Sequence, residues 1–226
     1  MNTIKGFLLK DLYNLLNYKS TLFICFIIVV VFGISGQIQL LPIILITMIG
    51  MIGLSTFSYD EISKTDKYLL SMPTSKKEIV LAKYLLSILM IVVGAILAFV
   101  ITFGIGQIAQ HFPIQAIEEI PTIQDIAIYT VGGIFGISLI TCIQIPSIYK
   151  WGAERGRIQM FLLVILITAI VGGIIFLIGK VGFSINVQQL ERIFEQFGIL
   201  ILFVVTIIMY VISYHISKRI YQKKEF

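Results

Sequence analysis

The chain has 226 residues, of which 58% are hydrophobic and only 13% charged, with a mean hydropathy of +1.00. Soluble globular domains carry about 25% charged residues and about 45–50% apolar ones, so this composition excludes a soluble fold of this length and fits one helical bundle in a membrane. The net charge of +5 would suggest a nucleic-acid partner in a soluble protein, but the positions of the charges point to membrane topology instead, and no nucleic-acid partner is expected.

The N-terminal arm, Asn2–Tyr18, places Ile4, Phe7, Leu8, Leu12, Leu15 and Leu16 at helical spacing, with Lys5, Lys10 and Asn14 on other faces. That pattern predicts an amphipathic helix lying at the membrane surface and leading into the first span. Lys5, Lys10, Asp11 and Lys19 interrupt its apolar face, and no small-residue cleavage site follows, so a signal peptide is not expected.

Six apolar runs of spanning length follow, at about residues 20–36, 40–57, 84–105, 126–146, 158–179 and 197–213. The fourth is taken to close at Pro146. None has an Asp, Glu, Lys or Arg near its centre, and backbone that crosses a bilayer must satisfy its own hydrogen bonds, so each is expected to be a helix. The expected fold is therefore an all-α integral membrane protein, one transmembrane domain over residues 1–226.

The hydrophilic stretches divide sharply by charge. Of the 17 lysines and arginines, all but Lys180 and Arg192 fall in the N-terminal arm, the second loop, the fourth loop or the C-terminal tail. Cytoplasmic loops collect cations, which predicts both termini inside. An odd number of spans would place the termini on opposite sides and destroy the split.

The second loop, Ser58–Lys83, is the longest cytoplasmic stretch and reads as two helices broken at Met72-Pro73. The first piece carries acidic residues at its start and Lys64 and Lys67 later, in keeping with the helix dipole. The second opens with Ser75-Lys-Lys-Glu78, a capping box, and runs straight into the third span. The fourth loop, Ser147–Arg157, is short. On the outer side, Gln107–Asp125 contains no cation, and Lys180–Gln196 is expected to form a short amphipathic helix.

The usual catalytic constellations are absent from the sequence. The one Gly-Lys pair, Gly179-Lys180, has Ile174 and Val181 where a phosphate-binding loop needs Gly and Ser or Thr. The two histidines, His111 and His215, are assigned to opposite sides of the membrane, and neither H-E-x-x-H nor G-x-S-x-G occurs. Cys25 and Cys142 both lie within apolar runs and read as small buried hydrophobes. No enzyme activity, cofactor or metal site is expected. With no ionisable group at membrane depth, a proton- or ion-coupled carrier is disfavoured. The polar residues of the spans, among them Thr47, Thr102, Ser138, Thr141, Gln144, Thr168 and Thr206, are assigned to helix–helix hydrogen bonds. Gly132-x-x-x-Gly136 is assigned to close helix packing, within the chain rather than between copies.

What remains is a membrane bundle without its own energy source and with a structured cytoplasmic loop. The residues Phe57-Ser-Tyr-Asp60-Glu61, Lys67-Tyr-Leu-Leu-Ser-Met-Pro73, Ser75-Lys76-Lys77-Glu78-Ile-Val80 and Lys83-Tyr84 resemble the second-loop signature of permease subunits of type-2-class ATP-binding-cassette (ABC) exporters. Pro146-Ser-Ile-Tyr149-Lys150-Trp-Gly152-Ala-Glu154-Arg155-Gly156-Arg157 resembles the fourth-loop pattern of a small branch that includes the phenol-soluble modulin exporters of Gram-positive bacteria. The resemblance covers essentially the whole chain.

It implies a permease of the bacterial plasma membrane, working as a homo- or heterodimer with two copies of a separate ABC ATPase and exporting amphipathic peptides or hydrophobic antimicrobials. It makes the N-terminal arm a membrane-surface elbow helix and the second loop a coupling helix that docks on the ATPase. In that helix Tyr68, Leu69, Leu70 and Met72 would supply the apolar contact, and Asp60, Glu61, Lys64, Asp66 and Lys67 its polar rim. Lys150, Glu154, Arg155 and Arg157 would form a second contact with the ATPase or a gate between permease halves, or merely a solvated turn. The alternatives are a membrane immunity or assembly factor that moves nothing, and an uncoupled channel or secondary carrier.

Overall fold

A computed structural model of the chain describes residues 2–15, 19–65, 75–111, 120–156 and 187–224, together with positions 158–159, 161–162, 165, 168–169 and 172–173. Among these residues the regular structure is entirely helical. The principal helices are α1 (Asn2–Leu15), α2 (Lys19–Ile34), α3 (Leu41–Ile62), α4 (Lys76–His111), α5 (Ile123–Trp151) and α6 (Val187–Lys223), with a single 3₁₀ turn at Ile38–Leu40. The break expected at Met72-Pro73 lies outside the described residues. So do Asp66, Lys67, Tyr68, Leu69, Leu70 and Arg157.

Four helices among the described residues are long and apolar enough to cross a membrane: Ile38–Ile62, Lys76–His111, Ile123–Trp151 and Gly198–Lys223. A shorter apolar helix covers Phe23–Gly33. Local signals set several boundaries. Gly36, at φ +79°, follows the end of α2, the left-handed position that favours glycine. Pro42 occupies the first turn of α3, where a missing N–H costs nothing. Thr122 and Asp125 form a reciprocal capping box at the start of α5, at 3.0 and 3.2 Å.

The capping box read at Ser75 and Glu78 is present: Ser75 N donates to Glu78 Oε2 (3.2 Å) and Glu78 N to Ser75 Oγ (3.3 Å). As the sequence predicts, the helix it opens runs without interruption into the following apolar run, as α4. Of the amphipathic segment expected over Lys180–Gln196, the described part is not a separate helix: the residues from Val187 onward are the first turns of α6, which continues to Lys223.

The fourth run does not close at Pro146. α5 passes through that proline and ends only at Gly152, whose φ is +89°. Proline inside a helix deprives the carbonyl four residues earlier of its donor, here that of Cys142. Ser213 of α6 supplies the replacement, its hydroxyl donating to Cys142 O at 2.6 Å. With that proton committed, Tyr84 of α4 donates to Ser213 Oγ (2.6 Å) and accepts from Ser217 (2.8 Å). One freed carbonyl therefore ties three helices together, the way membrane helices generally accommodate an internal proline.

The contacts also fix helix direction. Thr141 meets Tyr210 at 3.0 Å, Cys142 meets Ser213, and Tyr149 meets Tyr221 with ring centroids 5.0 Å apart. α5 and α6 therefore run parallel, both toward the end of the bundle where α3 finishes and α4 begins.

Close packing falls on glycines other than Gly132 and Gly136, whose added Cβ atoms would meet nothing within 4 Å among the described residues. A Cβ on Gly133 would lie 3.2 Å from the Ile43 backbone, and one on Gly94 3.2 Å from Ile49; Gly50 sits directly against Ile137. The stripe offset by one residue from the expected motif carries the α3–α5 contact.

Ser213→Ala should leave the Cys142 carbonyl unpaired in a dry interior and lower stability by about 1–3 kcal/mol. Pro146→Ala restores the missing N–H, so the double variant should lose much less than Ser213→Ala alone. Thermal unfolding of the four proteins in one detergent checks this; equal losses in the two backgrounds would contradict it.

Candidate functional site

The end of the bundle that holds the α3–α4 connection also gathers most of the chain's cations, and the helices converge there on a shared core. Phe7 of α1, Phe57 of α3, Ile79 and Val80 of α4, Tyr149 of α5 and Tyr221 of α6 form one buried cluster. Tyr221 and Val80 are fully enclosed. The aromatic rings pack edge to face, Phe57 on Tyr149 at 5.4 Å and Tyr84 on Tyr214 at 5.7 Å, the arrangement ring quadrupoles favour.

Within this apolar setting lies a group of four charges. Lys83 Nζ of α4 reaches Asp60 Oδ2 of α3 at 2.5 Å and Asp11 Oδ2 of α1 at 2.9 Å. Lys10 Nζ reaches Asp60 Oδ1 at 2.6 Å and Asp11 Oδ1 at 3.2 Å. Asp11, Asp60 and Lys83 are 1%, 8% and 6% exposed, so the charges are out of water and must be matched. Two cations and two anions cancel. Lys83 also donates to Thr56 Oγ1 (3.2 Å) and lies 5.0 Å from the centre of the Phe57 ring.

Burial by itself would push the Lys10 ammonium down, but Asp11 and Asp60 outweigh it and hold its pKa above the ordinary lysine value. The contribution of Lys10 to stability is therefore complete below the unfolded lysine pKa and is lost only as pH rises through the raised folded value. Across the neutral range it is fully charged.

Two further contacts close this end of the molecule. Glu61 Oε2 accepts from Ala153 N at 2.6 Å, so the last turn of α3 holds the residues just after α5. Gly152 makes this possible: its φ of +89° disfavours any side chain, and an added Cβ would come within 2.8 Å of Glu61 Oε1. Lys76, at the start of α4, donates to the carbonyls of Gln222 (3.3 Å) and Lys224 (2.9 Å). It thereby places a cation at the C-terminal end of α6, where the helix dipole favours one. A small cavity of about 80 Å³ lies between Asp60, Glu61, Lys83, Tyr149 and Gly152.

The residues singled out from the sequence thus separate. Asp60 turns inward to Lys10 and Lys83 and is not on an exposed rim. Glu61 engages Ala153, while Lys64 is exposed just beyond α3 with φ +50°. Lys67, Tyr68, Leu69 and Met72 lie outside the described residues. Lys150, Glu154 and Arg155 are exposed, with Lys150 Nζ 4.2 Å from the centre of the Trp151 ring. Sequence reasoning set Asp60 and Glu61 in one contact and Glu154 and Arg155 in a second; the Glu61–Ala153 hydrogen bond joins the two regions. It missed Asp11 as a functional candidate by counting it only as an interfacial charge, and it placed Lys83 in the second-loop signature without a partner. A lysine directly before Tyr84 and a long apolar run was the available signal.

Among the described residues no group of three or more His, Cys, Asp or Glu could hold a metal. The larger cavity, about 430 Å³, lies between α4, α5 and α6 against Ile91, Ile134, Phe135, Phe203 and Tyr210. Its lining is mostly hydrocarbon and aromatic, with the hydroxyl-bearing Ser138 and Thr206 among it, and it holds no Asp, Glu, His, Lys or Arg.

The model of one family, described as ABC-2 family transporter protein, matches residues 6–222. The chain belongs to the ABC-2 transporter family. Proteins of this family are multi-pass membrane subunits that typically lack an ATPase site of their own and associate with an ABC ATPase subunit. No curated protein and no solved structure matches the chain. In this ABC-2 transporter chain the charged group and its aromatic surround sit where α3 and α4 flank the connection at 63–75.

Gly152→Ala should strain the backbone and crowd Glu61, costing about 1–2 kcal/mol. The Glu61→Gln variant keeps an acceptor for Ala153 N and should cost less. Chemical unfolding of both variants against the parent tests the order; a neutral Gly152→Ala would contradict the geometry.

Proposed function

We propose that this chain is the permease subunit of an ABC exporter in the bacterial plasma membrane. It would move amphipathic peptides or hydrophobic antimicrobial-type compounds outward, using ATP hydrolysed by a separate subunit. The observation that carries the reading is the family match over residues 6–222. In the full assembly, two such chains, identical or related, pair with two ATPase subunits.

The proposed topology is six spans with both termini in the cytoplasm. The division of cations supports it, since all but Lys180 and Arg192 fall in the stretches assigned to the inside. The parallel course of α5 and α6 supports it as well. Two parallel helices in sequence require the chain between them to return across the bundle, and the apolar run at 158–179 has the length to do so. In this topology α1 is the elbow helix at the inner membrane surface, and the segment between α3 and α4 is the coupling element.

The coupling segment carries Tyr68, Leu69, Leu70 and Met72, apolar residues that a cytoplasmic connection seldom shows to water unless they dock. Its flanks are well placed to receive force. α3 enters from the charged group and the Glu61 contact, and α4 leaves through the Ser75–Glu78 capping box and the Lys76 contact with α6. A push on this segment meets the ends of five helices at once. Lys64 and Lys67 would border the contact, and Lys150, Glu154, Arg155 and Arg157 would form a second one beside it.

Two experiments test the reading. Substituting both Tyr68→Asp and Leu69→Asp should abolish co-purification of the ATPase and transport by reconstituted vesicles, while the chain still inserts and melts normally. Retained ATPase binding with substrate-stimulated hydrolysis would rule out the coupling assignment. For topology, a cysteine at Gln115 should react with a membrane-impermeant thiol reagent added to intact cells, and one at Leu70 should not. Labelling of residue 70 from outside would overturn it.

A further inference from the structure

α1 is attached at two points of opposite charge. Asp11 is paired with Lys83 of α4 (2.9 Å) and the adjacent Lys10 with Asp60 of α3 (2.6 Å), while Lys83 and Asp60 are themselves paired (2.5 Å). With Phe7 buried in the core cluster, either ionic contact holds the rotation of α1 and its position along the bundle, and Asp11 is the one that ties it to α4. Apolar side chains of the same volume would usually hold such an interface as firmly or more so, because burying charge is costly. What the charges add is register.

The helix that follows α1 is poorly held by everything else. α2 begins at Lys19, and it leaves Phe23, Phe26, Ile27 and Val31 exposed at 64%, 64%, 44% and 53%. On its inner side Cys25 is buried against Met48, with Sγ and Sδ 4.0 Å apart. α3, by contrast, is wedged between α4 and α5, with Gly94 and Gly133 admitting Ile49 and Ile46. Among the described residues α2, like the span portions of α4 and α6, is therefore loosely packed, and it is the loosely packed helix that follows α1 directly in the chain.

We propose that Asp11 and Lys83 are positioning residues through which a displacement of the α3–α4 connection is passed to α1 and from it to α2. Lys83 is at the inner end of α4, beside the connection, and Asp11 is near the end of α1, a few residues before α2. The Asp11–Lys83 pair is the ionic link between α1 and α4, beside the apolar contact of Phe7 with the core cluster, and α2 is the helix that moves. The inference rests on the chain being driven by an ATPase at that connection, and it names the path by which the drive would reach a span.

The test is a distance measurement on the chain reconstituted in lipid nanodiscs with the ABC ATPase subunit it co-purifies with. Cys25 and Cys142 are replaced by Ala, and spin labels are placed at Phe26→Cys on α2 and Val100→Cys on α4. The parent complex should show a shift in the label separation between the nucleotide-free and the ATP–vanadate-trapped states. Asp11→Asn keeps the shape of the side chain and leaves the Lys83–Asp60 pair in place. It should retain ATPase binding and hydrolysis within about twofold of the parent, yet lose the shift. Asp11→Glu, which keeps the charge, should recover it. Lys83→Met and the double variant with Asp11→Asn should match Asp11→Asn and not add to it.

A full shift in Asp11→Asn, or no shift in a parent complex that hydrolyses ATP, overturns the inference and leaves the transporter reading standing. A parent chain that binds no ATPase overturns both. Should Asp11→Asn melt, Lys10→Met decides: it leaves Asp11 with Lys83, so the shift should persist, and its loss with hydrolysis intact overturns the inference.

Discussion

The ammonium of Lys83 sits between two aspartates contributed by different helices, in a place that excludes water, and the arrangement of one end of the molecule follows from keeping that charge matched. Removing one partner of a buried ion pair costs about 3–5 kcal/mol, because the remaining charge has nowhere to go. α1 must therefore bring Asp11 to α4, and α3 must bring Asp60 to the same point. Once those three helices are joined, Glu61 is carried to Ala153 and Lys76 to the end of α6. The aromatic cluster of Phe57, Tyr149 and Tyr221 fills the space the charged group leaves. The apolar spans make this an integral membrane protein; the charged group makes one end of it a single body.

That end contrasts with the rest of the bundle. Along α4 and α6 large apolar side chains such as Val100 and Phe203 are exposed at 60% and 66%, facing the surroundings that a bilayer or a second subunit would supply. The interior there is held by glycine-mediated contacts and by the proline-derived link from Cys142 to Ser213 and Tyr84. Neither is ionic, and neither fixes register as opposite charges do. A transporter driven from one face needs a stiff input and compliant walls, and the two kinds of packing divide in that way.

Much of the architecture was legible in the sequence because it rests on local rules. Apolar length marks the four long helices that are able to cross a membrane, and Ser75 and Glu78 mark the start of α4 because a capping box needs only four residues in order. Pro146 was misread for the opposite reason. A proline ends a helix unless something else satisfies the carbonyl it strands, and that something is Ser213, far away in sequence and adjacent only after folding. The role of Asp60 was hidden likewise. Its partner Lys10 is 50 residues away, and from the sequence each reads as one more polar residue near a membrane surface. The glycine motif was placed one position off, because Gly132 and Gly133 are indistinguishable until the face toward Ile43 and Ile46 is known. Tyr68, Leu69 and Met72 stand on sequence and family alone.

The most direct test of this account is hydrogen exchange on the chain in nanodiscs, resolved along α1. If the buried charges make one body, the amides from Phe7 to Leu15 should be protected as strongly as those in the first turns of α4 and should open together with them. Rapid exchange throughout α1 while α4 stays protected would mean that α1 lies on the bundle without being part of it, and the account would fail at its base.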